Sequence, residues 1–205
     1  MSKDKLLYIK AICVERGENM HRAFLAIDVE KPEVVEKLIG IQQALAESKA
    51  DLKLVEKENF HITLQFLGDI SDAMVEEVYK VMKNVKAEPF TLNLKGVGVF
   101  PSLNSPRVIW IGAEKGASKV EEIYHQLEVG LKKLGFRPDK EFTPHLTIAR
   151  VKTGRNRDAL AKIVSKLSEI EIGEIQVEGI RLKKSVLTSS GPIYSTLREV
   201  RFGKL

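Results

Sequence analysis

The spacing of apolar residues along the chain alternates between a period of two, typical of strands, and a period of about 3.6, typical of helices. The shorter period predicts strands over residues 22–29, 52–56, 60–67, 90–100, 107–112, 145–151, 175–187 and 194–202. The longer period predicts helices over residues 31–50, 71–85, 118–134 and 158–167. Strands and helices interleaved in this way predict an α+β fold.

Local signals predict several element boundaries. Gly68-Asp69 is interpreted as the turn that ends a strand before a helix opening at Ser71. Ser118 to Glu121 has the form of a capping box at a helix start. Gly135 is a natural stop for that helix because glycine adopts the left-handed conformation that ends many helices.

Residues 20–205 are expected to form a single unit of two related lobes. Each half of the chain carries one His-x-Thr strand, and the two histidines, His61 and His145, are 84 residues apart. No low-complexity linker separates the halves, which favours one compact body. Residues 1–19 are expected to be an N-terminal extension outside the core, because an amphipathic strand begins immediately after them.

Composition narrows the class of protein. The chain has 205 residues and 43% hydrophobic content, enough for a real core, and no run reaches the roughly 18 apolar residues of a membrane span. A single cysteine, Cys13, excludes an internal disulfide and suits a reducing cytoplasm. The net charge of +5 gives a mild bias toward polyanionic partners.

The repeated His-x-Thr pattern carries the chemistry. In a strand, residues i and i+2 share a face, so His61 with Thr63, and His145 with Thr147, project together. Ile62, Leu64 and Phe66 are expected to face the core instead. One imidazole can be a neutral base while the other is a charged acid, which allows in-line displacement at phosphorus without a metal. The threonines would donate hydrogen bonds to the phosphate oxygens.

Two other interpretations of the motifs compete with catalysis. A single copy would more often be an ordinary sheet face, with threonine chosen for strand propensity, but two matched copies favour function. A metal site is disfavoured because no His-x3-5-His or Cys-x2-Cys spacing occurs.

Four segments together resemble the 2H phosphoesterase superfamily, in particular its RNA 2′,3′-cyclic phosphodiesterase branch, also called the 2′-5′ RNA ligase family. They are Arg22-Ala23-Phe24-Leu25-Ala26-Ile27, Phe60-His61-Ile62-Thr63-Leu64-Gln65-Phe66-Leu67-Gly68, Pro106-Arg107-Val108-Ile109-Trp110 and His145-Leu146-Thr147-Ile148-Ala149-Arg150. The segment Gly191-Pro192-Ile193-Tyr194-Ser195-Thr196-Leu197 is similar to that branch as well, so the resemblance covers nearly everything after Met20.

The resemblance implies a bilobal α+β fold in which pseudo-twofold related, mainly antiparallel sheets carry helices on their outer faces and enclose a central groove. It implies hydrolysis of 2′,3′-cyclic phosphate RNA ends to 2′-phosphomonoesters, with reverse 2′-5′ joining, and no cofactor or metal. His61 would be the proton donor and His145 the proton acceptor. Thr63, Thr147 and Arg150 would bind the substrate.

Two positions depart from simple expectations. Strict alternation sends Arg150 to the face opposite His145, so its role requires a twist or the end of the strand at that point. The family commonly has lysine where this chain has Gln65, which is expected to remove one positive charge from the groove.

Other residues and other functions stay open at the level of sequence. Arg155-Asn156-Arg157 would touch RNA phosphates if its loop borders the groove, and Phe24 and Trp110 would either stack a base or lie in the core. The expected substrate is RNA with cyclic-phosphate ends, possibly tRNA halves, acted on by a cytoplasmic monomer without membrane contact. The alternatives are a 2H enzyme acting on a small cyclic nucleotide or mainly as a ligase, and a non-catalytic RNA-binding module.

Overall fold

A computed structural model describes residues 19–138, 141–189 and 191–203. Most of the predicted N-terminal extension, including Cys13, lies outside the described residues. The strands are β1 Met20–Asp28, β2 Leu52–Leu54, β3 His61–Ser71, β4 Phe90–Phe100, β5 Val108–Ala113, β6 His145–Val151, β7 Glu171–Val177, β8 Gly179–Leu187 and β9 Pro192–Arg201. The helices are α1 Pro32–Ala46, α2 Asp72–Lys83, α3 Ala117–Lys133 and α4 Arg157–Lys166, with a 3-10 turn at Lys57–Asn59.

The nine strands form one antiparallel sheet in the order β7-β4-β5-β6-β3-β1-β8-β9, with β2 paired to β6. Its two halves meet at β3 and β6, where Ile62 pairs with Leu146. Strands on the two sides of this junction correspond in order: β6 to β3, β5 to β1, β4 to β8 and β7 to β9. This correspondence confirms the expected pseudo-twofold α+β architecture.

The two lobes do not coincide with the two halves of the sequence. Apart from β2, which precedes β3, and β7, which precedes β8, the element series β1-α1-β3-α2-β4 recurs as β5-α3-β6-α4-β8. However, the last strand of each series joins the other lobe, since β4 pairs with β5 and β8 pairs with β1. Each lobe is therefore completed by the other half of the chain, which is why no linker divides the sequence.

The helices cover one face of the sheet. Helices α1 and α4 pack together against β4, β6 and β7, while α2 packs against β3, β9 and α3. The side chains between the layers form one core, which includes Leu25, Leu38, Ile62, Ile111 and Leu146. The opposite face of the sheet carries the groove, and no helix of the described residues packs there. No helix among the described residues is long and apolar enough to cross a membrane.

Several predicted boundaries are confirmed. Ser71 caps α2, since its hydroxyl accepts a hydrogen bond from the backbone N–H of Met74 at 3.3 Å. Gly135, with φ 89°, follows the end of α3. Strand β4 spans the predicted residues, and β6 begins at His145 as expected.

Three local predictions are wrong. Gly68 does not end β3; its φ of 74° is absorbed within the strand, at an irregularity opposite Ala23. Ser118 is not a helix cap, because α3 begins one residue earlier after Gly116, whose φ of 90° brings it against the carbonyl of Thr91. The strand predicted over 175–187 is two strands, β7 and β8, which separate at Glu178.

Helix α1 is also shorter than predicted. It ends at Ala46 rather than at residue 50. Ser48 donates its hydroxyl hydrogen to the carbonyl of Leu45 at 2.6 Å, and Lys49 has φ 57°. The serine side chain thus satisfies a terminal carbonyl of the helix, and the left-handed residue turns the chain toward β2.

Candidate active site

The junction of β3 and β6 brings the two His-x-Thr motifs together. Ile62 and Leu146 are fully buried on the core face, so the residues on either side of them project into the groove. Because the strands are antiparallel, this register sets His61 on the side of Thr147 and His145 on the side of Thr63. The structure thus brings the two predicted histidines and the two predicted threonines together on one face of the sheet.

Both imidazole rings are held in the same way. The Nδ1 atom of His61 lies 2.7 Å from the carbonyl oxygen of Asn59, and Nδ1 of His145 lies 2.7 Å from the carbonyl oxygen of Thr143. A carbonyl can only accept, so Nδ1 carries the hydrogen in both rings. The other nitrogen of each ring, Nε2, is therefore the one available to exchange a proton.

Aromatic rings surround each histidine. The ring centroids of Phe24 and Tyr194 lie 4.9 and 5.3 Å from that of His61. On the other side, Phe100 and Trp110 lie 5.1 and 6.3 Å from His145. These contacts restrict the orientation of both imidazole rings.

From the sequence, Phe24 and Trp110 were expected either to stack a base in the groove or to lie in the core. Phe24 is buried like a core residue and Trp110 is half-buried, yet both lie on the groove face, against His61 and His145 respectively. Tyr194 and Phe100 were not identified as site residues from the sequence. No local pattern would have found them, because β9 and β4 reach the groove only through the exchange of strands between lobes.

Burial lowers the pKa of His61 from its ordinary 6.5 to about 4. The hydrogen bond to Asn59 acts in the opposite direction, and the Lys183 ammonium adds to the lowering. The free protein therefore holds His61 as the neutral ring at neutral pH. For this histidine to donate a proton, a bound anionic phosphate has to raise its pKa again.

A buried ion pair lies beside His61. The ammonium of Lys183, only 7% exposed, is 2.6 and 2.7 Å from the two carboxylate oxygens of Asp28. Arg181 also contacts this carboxylate, through Nη1. Sequence reasoning missed this cluster, although the spacing Arg181-x-Lys183 would have placed both cations on one face of β8.

The residues after each motif depart from strict alternation, and the cause is a β-bulge in each strand. Between Leu25 and Ala26, the partner register on β3 jumps from Gln65 to Thr63. Between Ile109 and Trp110, the register on β6 jumps from Ala149 to Thr147. Each bulge adds one residue after His-x-Thr-x and reverses which side chains face the groove from there on.

The bulge in β3 overturns two expectations. Phe66 does not face the core; it is 64% exposed on the groove face, paired across the sheet with Phe24. Gln65 is 3% exposed and points to the core, where its Nε2 donates to the carbonyl of Arg137 at 2.7 Å. The glutamine side chain therefore does not alter the charge of the groove. The expectation from the sequence that Gln65 lies in the groove was wrong.

The bulge in β6 brings Arg150 to the groove face. Ile148 and Ala149 are both buried, and Arg150 is exposed on the same side as His145 and Thr147. The guanidinium acts electrostatically on the Tyr194 hydroxyl, whose pKa burial raises and Arg150 lowers. The structure thus provides the change of face that the substrate-binding role of Arg150 required.

No group of three or more His, Cys, Asp or Glu side chains suited to a metal ion occurs within residues 19–138, 141–189 and 191–203.

The loop Arg155-Asn156-Arg157 lies at the end of β6, next to the β4–β5 loop. Arg157 donates to the carbonyl of Asn104 in that loop at 3.5 Å, and Asn156 donates to the carbonyl of Lys49, after α1, at 2.9 Å.

The sequence profile of the LigT-like phosphoesterase family matches the chain twice, over residues 27–110 and 111–194. Both matches have the same length, and each contains one His-x-Thr motif, as the internal symmetry of the fold requires. The chain belongs to the LigT-like phosphoesterase family.

Relatives of known name support this membership of the LigT-like phosphoesterases. The RNA 2′,3′-cyclic phosphodiesterase of Aeropyrum pernix is 41% identical over 82% of this chain and 96% of its own length. That of Archaeoglobus fulgidus is 42% identical over 86% of this chain and 98% of its own length. The crystal structure of TT0787 of Thermus thermophilus superposes with a TM-score of 0.75 at 28% identity, covering 88% of this chain and 97% of that one.

Proposed function

We propose that this LigT-like phosphoesterase is an RNA 2′,3′-cyclic phosphodiesterase that produces 2′-phosphomonoester ends. The observation that carries the proposal is the pair of histidines at the β3–β6 junction, each with Nδ1 bonded to a carbonyl and Nε2 free in the same groove. The relatives that bear this name match over most of their own length. The proposed reaction unit is residues 20–205, acting as one bilobal domain.

In the proposed mechanism, Nε2 of His145 takes a proton from water as the water oxygen bonds to phosphorus. The bond from phosphorus to the 3′ oxygen breaks, and His61 gives that oxygen its proton. Thr63 and Thr147 donate hydrogen bonds to the non-bridging oxygens, and Arg150 adds a positive charge at the same face. Neither proton transfer is routed through a metal ion or cofactor. When the 5′-hydroxyl of a second RNA end takes the place of water as the nucleophile, the same steps join the two ends by a 2′-5′ bond.

The assignment of His61 as the donor places a requirement on the substrate. Because burial lowers the pKa of the His61 ring to about 4, the ring is neutral until an anion enters the groove. The phosphate of the substrate carries one negative charge, so once bound beside His61 it stabilises the imidazolium. Protonation of His61 is thereby coupled to substrate binding.

The test is turnover of an oligonucleotide ending in a 2′,3′-cyclic phosphate, with a chelator present and the product phosphate located at the 2′ or 3′ position. We expect a 2′-phosphate, and losses on the order of 100-fold or more in His61→Ala and in His145→Ala. His125→Ala removes an exposed imidazole on α3 and is the matched control. Full turnover by His61→Ala, or activity that disappears with the chelator, would contradict the mechanism.

The same assay separates the alternatives. RNA binding that is sensitive to salt, without any product, would identify a non-catalytic RNA-binding module. Turnover of a cyclic mononucleotide at the rate of an oligonucleotide would identify a small-nucleotide enzyme.

We further propose that the protein works as a monomer in the cytoplasm on RNA ends such as tRNA halves. The single cysteine supports a reducing compartment. Elution of the full chain at about its own mass of 23.0 kDa, in the presence and absence of RNA, tests the monomeric state.

A further inference from the structure

The pseudo-twofold symmetry of the groove is broken next to the two histidines. On β1, Asp28 pairs across the sheet with His61, whereas its counterpart on β5, Gly112, pairs with His145. Both positions lie on the groove face, because each is the direct cross-strand partner of a histidine that projects there. A carboxylate therefore accompanies one imidazole, and the position beside the other imidazole has no side chain.

The next strand on each side continues this difference. By the pairing of β8 with β1 and of β4 with β5, Arg181 on β8 corresponds to Gly98 on β4. By the same pairing, Lys183 corresponds to Phe100. In the lobe of β4 the Trp110 indole lies against Gly98 and leaves no room for a Cβ there. The corresponding space is thus filled by cations in one lobe and by an aromatic ring in the other.

The charges beside His61 form a closely bonded, buried cluster. The Lys183 ammonium is 2.6 and 2.7 Å from the two carboxylate oxygens of Asp28, and both side chains are buried. Arg181 donates to the same carboxylate and, at 2.8 Å, to Glu30. Removing two charges from water costs free energy that their attraction only partly offsets, and apolar residues in their place are often as stable. Since the other lobe fills the corresponding space without charges, folding stability does not explain the pair.

The two charges of the pair act on the His61 ring in opposite directions. Burial is the main cause of the low pKa of His61; in addition, the Lys183 ammonium lowers this pKa and the Asp28 carboxylate raises it, with the larger effect from the ammonium. The other groups that act on or contact the ring are the Asn59 carbonyl, the His145 imidazole and the rings of Phe24 and Tyr194. The net field of the pair therefore favours loss of a proton from His61.

We propose that the buried Lys183–Asp28 pair makes the two histidines unequal, as a positioning device that commits His61 to the release of a proton. The pair acts through the imidazole and not on the substrate itself. The lobe of His145 has uncharged residues at the corresponding positions, so that ring is the one that takes a proton from the nucleophile. This inference rests on the proposed function and deepens it, because it explains which side of a nearly symmetric groove is the acid.

Two changes of opposite charge test the pair. In Lys183→Met the Asp28 carboxylate keeps Arg181 as its partner, and the pKa of His61 should rise by about 0.5 to 1 because the nearby cation is gone. In Asp28→Asn the ammonium loses its carboxylate, and the pKa of His61 should fall instead. NMR titration measures both shifts, and the ring signal that is absent from His61→Gln identifies the residue. A purely structural role gives no reason for shifts of opposite sign.

Two control variants separate charge from packing. Lys183→Arg retains the cation and should keep the wild-type pKa of His61, so the comparison with Lys183→Met decides the matter even where Asp28→Asn does not fold. Lys95→Met removes an ion-paired lysine from β4, 3.3 Å from both Glu114 and Glu171, and should leave the His61 titration unchanged.

Three results of the titrations overturn the proposal. They are shifts of the same sign in Lys183→Met and Asp28→Asn, an unchanged His61 pKa in Lys183→Met, and equal pKa values in Lys183→Met and Lys183→Arg. None of these measurements needs turnover. Absence of activity in wild type is therefore a failure of the proposed function, and it is distinct from a failure of the pair to act on the ring.

Turnover of the cyclic-phosphate oligonucleotide supplies the second readout. The alkaline limb of the pH profile of kcat reports the proton donor in the bound complex, and in Lys183→Met it should move to higher pH together with the pKa of His61. Below that limb kcat should be lower by about two- to threefold, because a weaker acid gives up its proton less readily. A limb that stays at the wild-type pH overturns the commitment of His61 to proton release.

Discussion

The low pKa of His61 makes the free energy of unfolding depend on pH, in addition to its effect on the mechanism. In the folded protein the pKa of this ring is about 4, against 6.5 for an ordinary histidine, because the ring is enclosed by Phe24, Tyr194 and the groove wall. At about 1.36 kcal/mol for each pKa unit, the fold disfavours the charged ring by about 3 kcal/mol. At pH 7, only about one ring in a thousand is protonated in the free protein.

The sign of the pH effect follows from the order of the two pKa values. Between pH 6.5 and pH 4 the unfolded chain binds a proton at residue 61 and the folded protein does not. The free energy of unfolding is therefore highest above pH 6.5, decreases as the pH falls, and has lost about 3 kcal/mol through this residue near pH 4. His61→Gln removes that loss, since glutamine does not titrate.

Urea unfolding of wild type and His61→Gln at pH 7.5 and pH 4 measures this contribution. Other groups also titrate in this range, so the comparison is the difference between the two proteins in how much stability they lose. We expect the variant to lose about 3 kcal/mol less than wild type. His125→Gln reports what the removal of an exposed imidazole contributes under the same conditions.

The same residue can be followed directly by NMR titration of its ring. The pKa of His61 should be about 4 in the free protein and should rise by about 1 to 3 when a nucleoside 2′-phosphate binds. A free-protein value near 6.5, together with equal acid sensitivity of wild type and His61→Gln, would refute the reasoning from burial.

Three further predictions concern the groove and its supports. Arg150→Gln should raise KM for cyclic-phosphate substrates with little effect on thermal stability, because the side chain is exposed on the groove face; an unchanged KM would argue against substrate contact. Gln65→Leu should leave KM unchanged but cost about 1 kcal/mol in urea unfolding, because the hydrogen bond to the carbonyl of Arg137 is lost. Gly98→Ala should displace Trp110, since a Cβ at residue 98 would overlap the indole ring, and the fluorescence of this single tryptophan should shift as activity falls; wild-type emission would show that the ring does not lie on Gly98.

Internal symmetry explains why so much of the site could be predicted from one sequence. Two copies of a short motif at equal positions in a repeated β-α-β-α-β series must lie on equivalent strands. Here those strands are β3 and β6, which are neighbours at the centre of the sheet. The alternation of apolar residues then assigns His61, Thr63, His145 and Thr147 to the groove face without any further information.

Residues beyond the bulges could not be placed by the same reasoning. A bulge adds a residue without changing the apolar pattern around it, and side chains change faces at that point. For this reason Phe66 was expected in the core, Gln65 in the groove and Arg150 on the wrong face. The positions of all three depend on pairing with β1 and β5, which are distant in sequence.

The sequence by itself determined the order of strands and helices up to α4, the helix stop at Gly135, and the two histidines with their threonines, because each depends on local periodicity or on a short motif. Tertiary structure decided the exchange of β4 and β8 between lobes, the aromatic and ionic surroundings of His61, and the faces on which Phe66, Gln65 and Arg150 lie. These properties depend on contacts between segments far apart in the chain, whose free energies are set by pairing and burial rather than by neighbours in sequence.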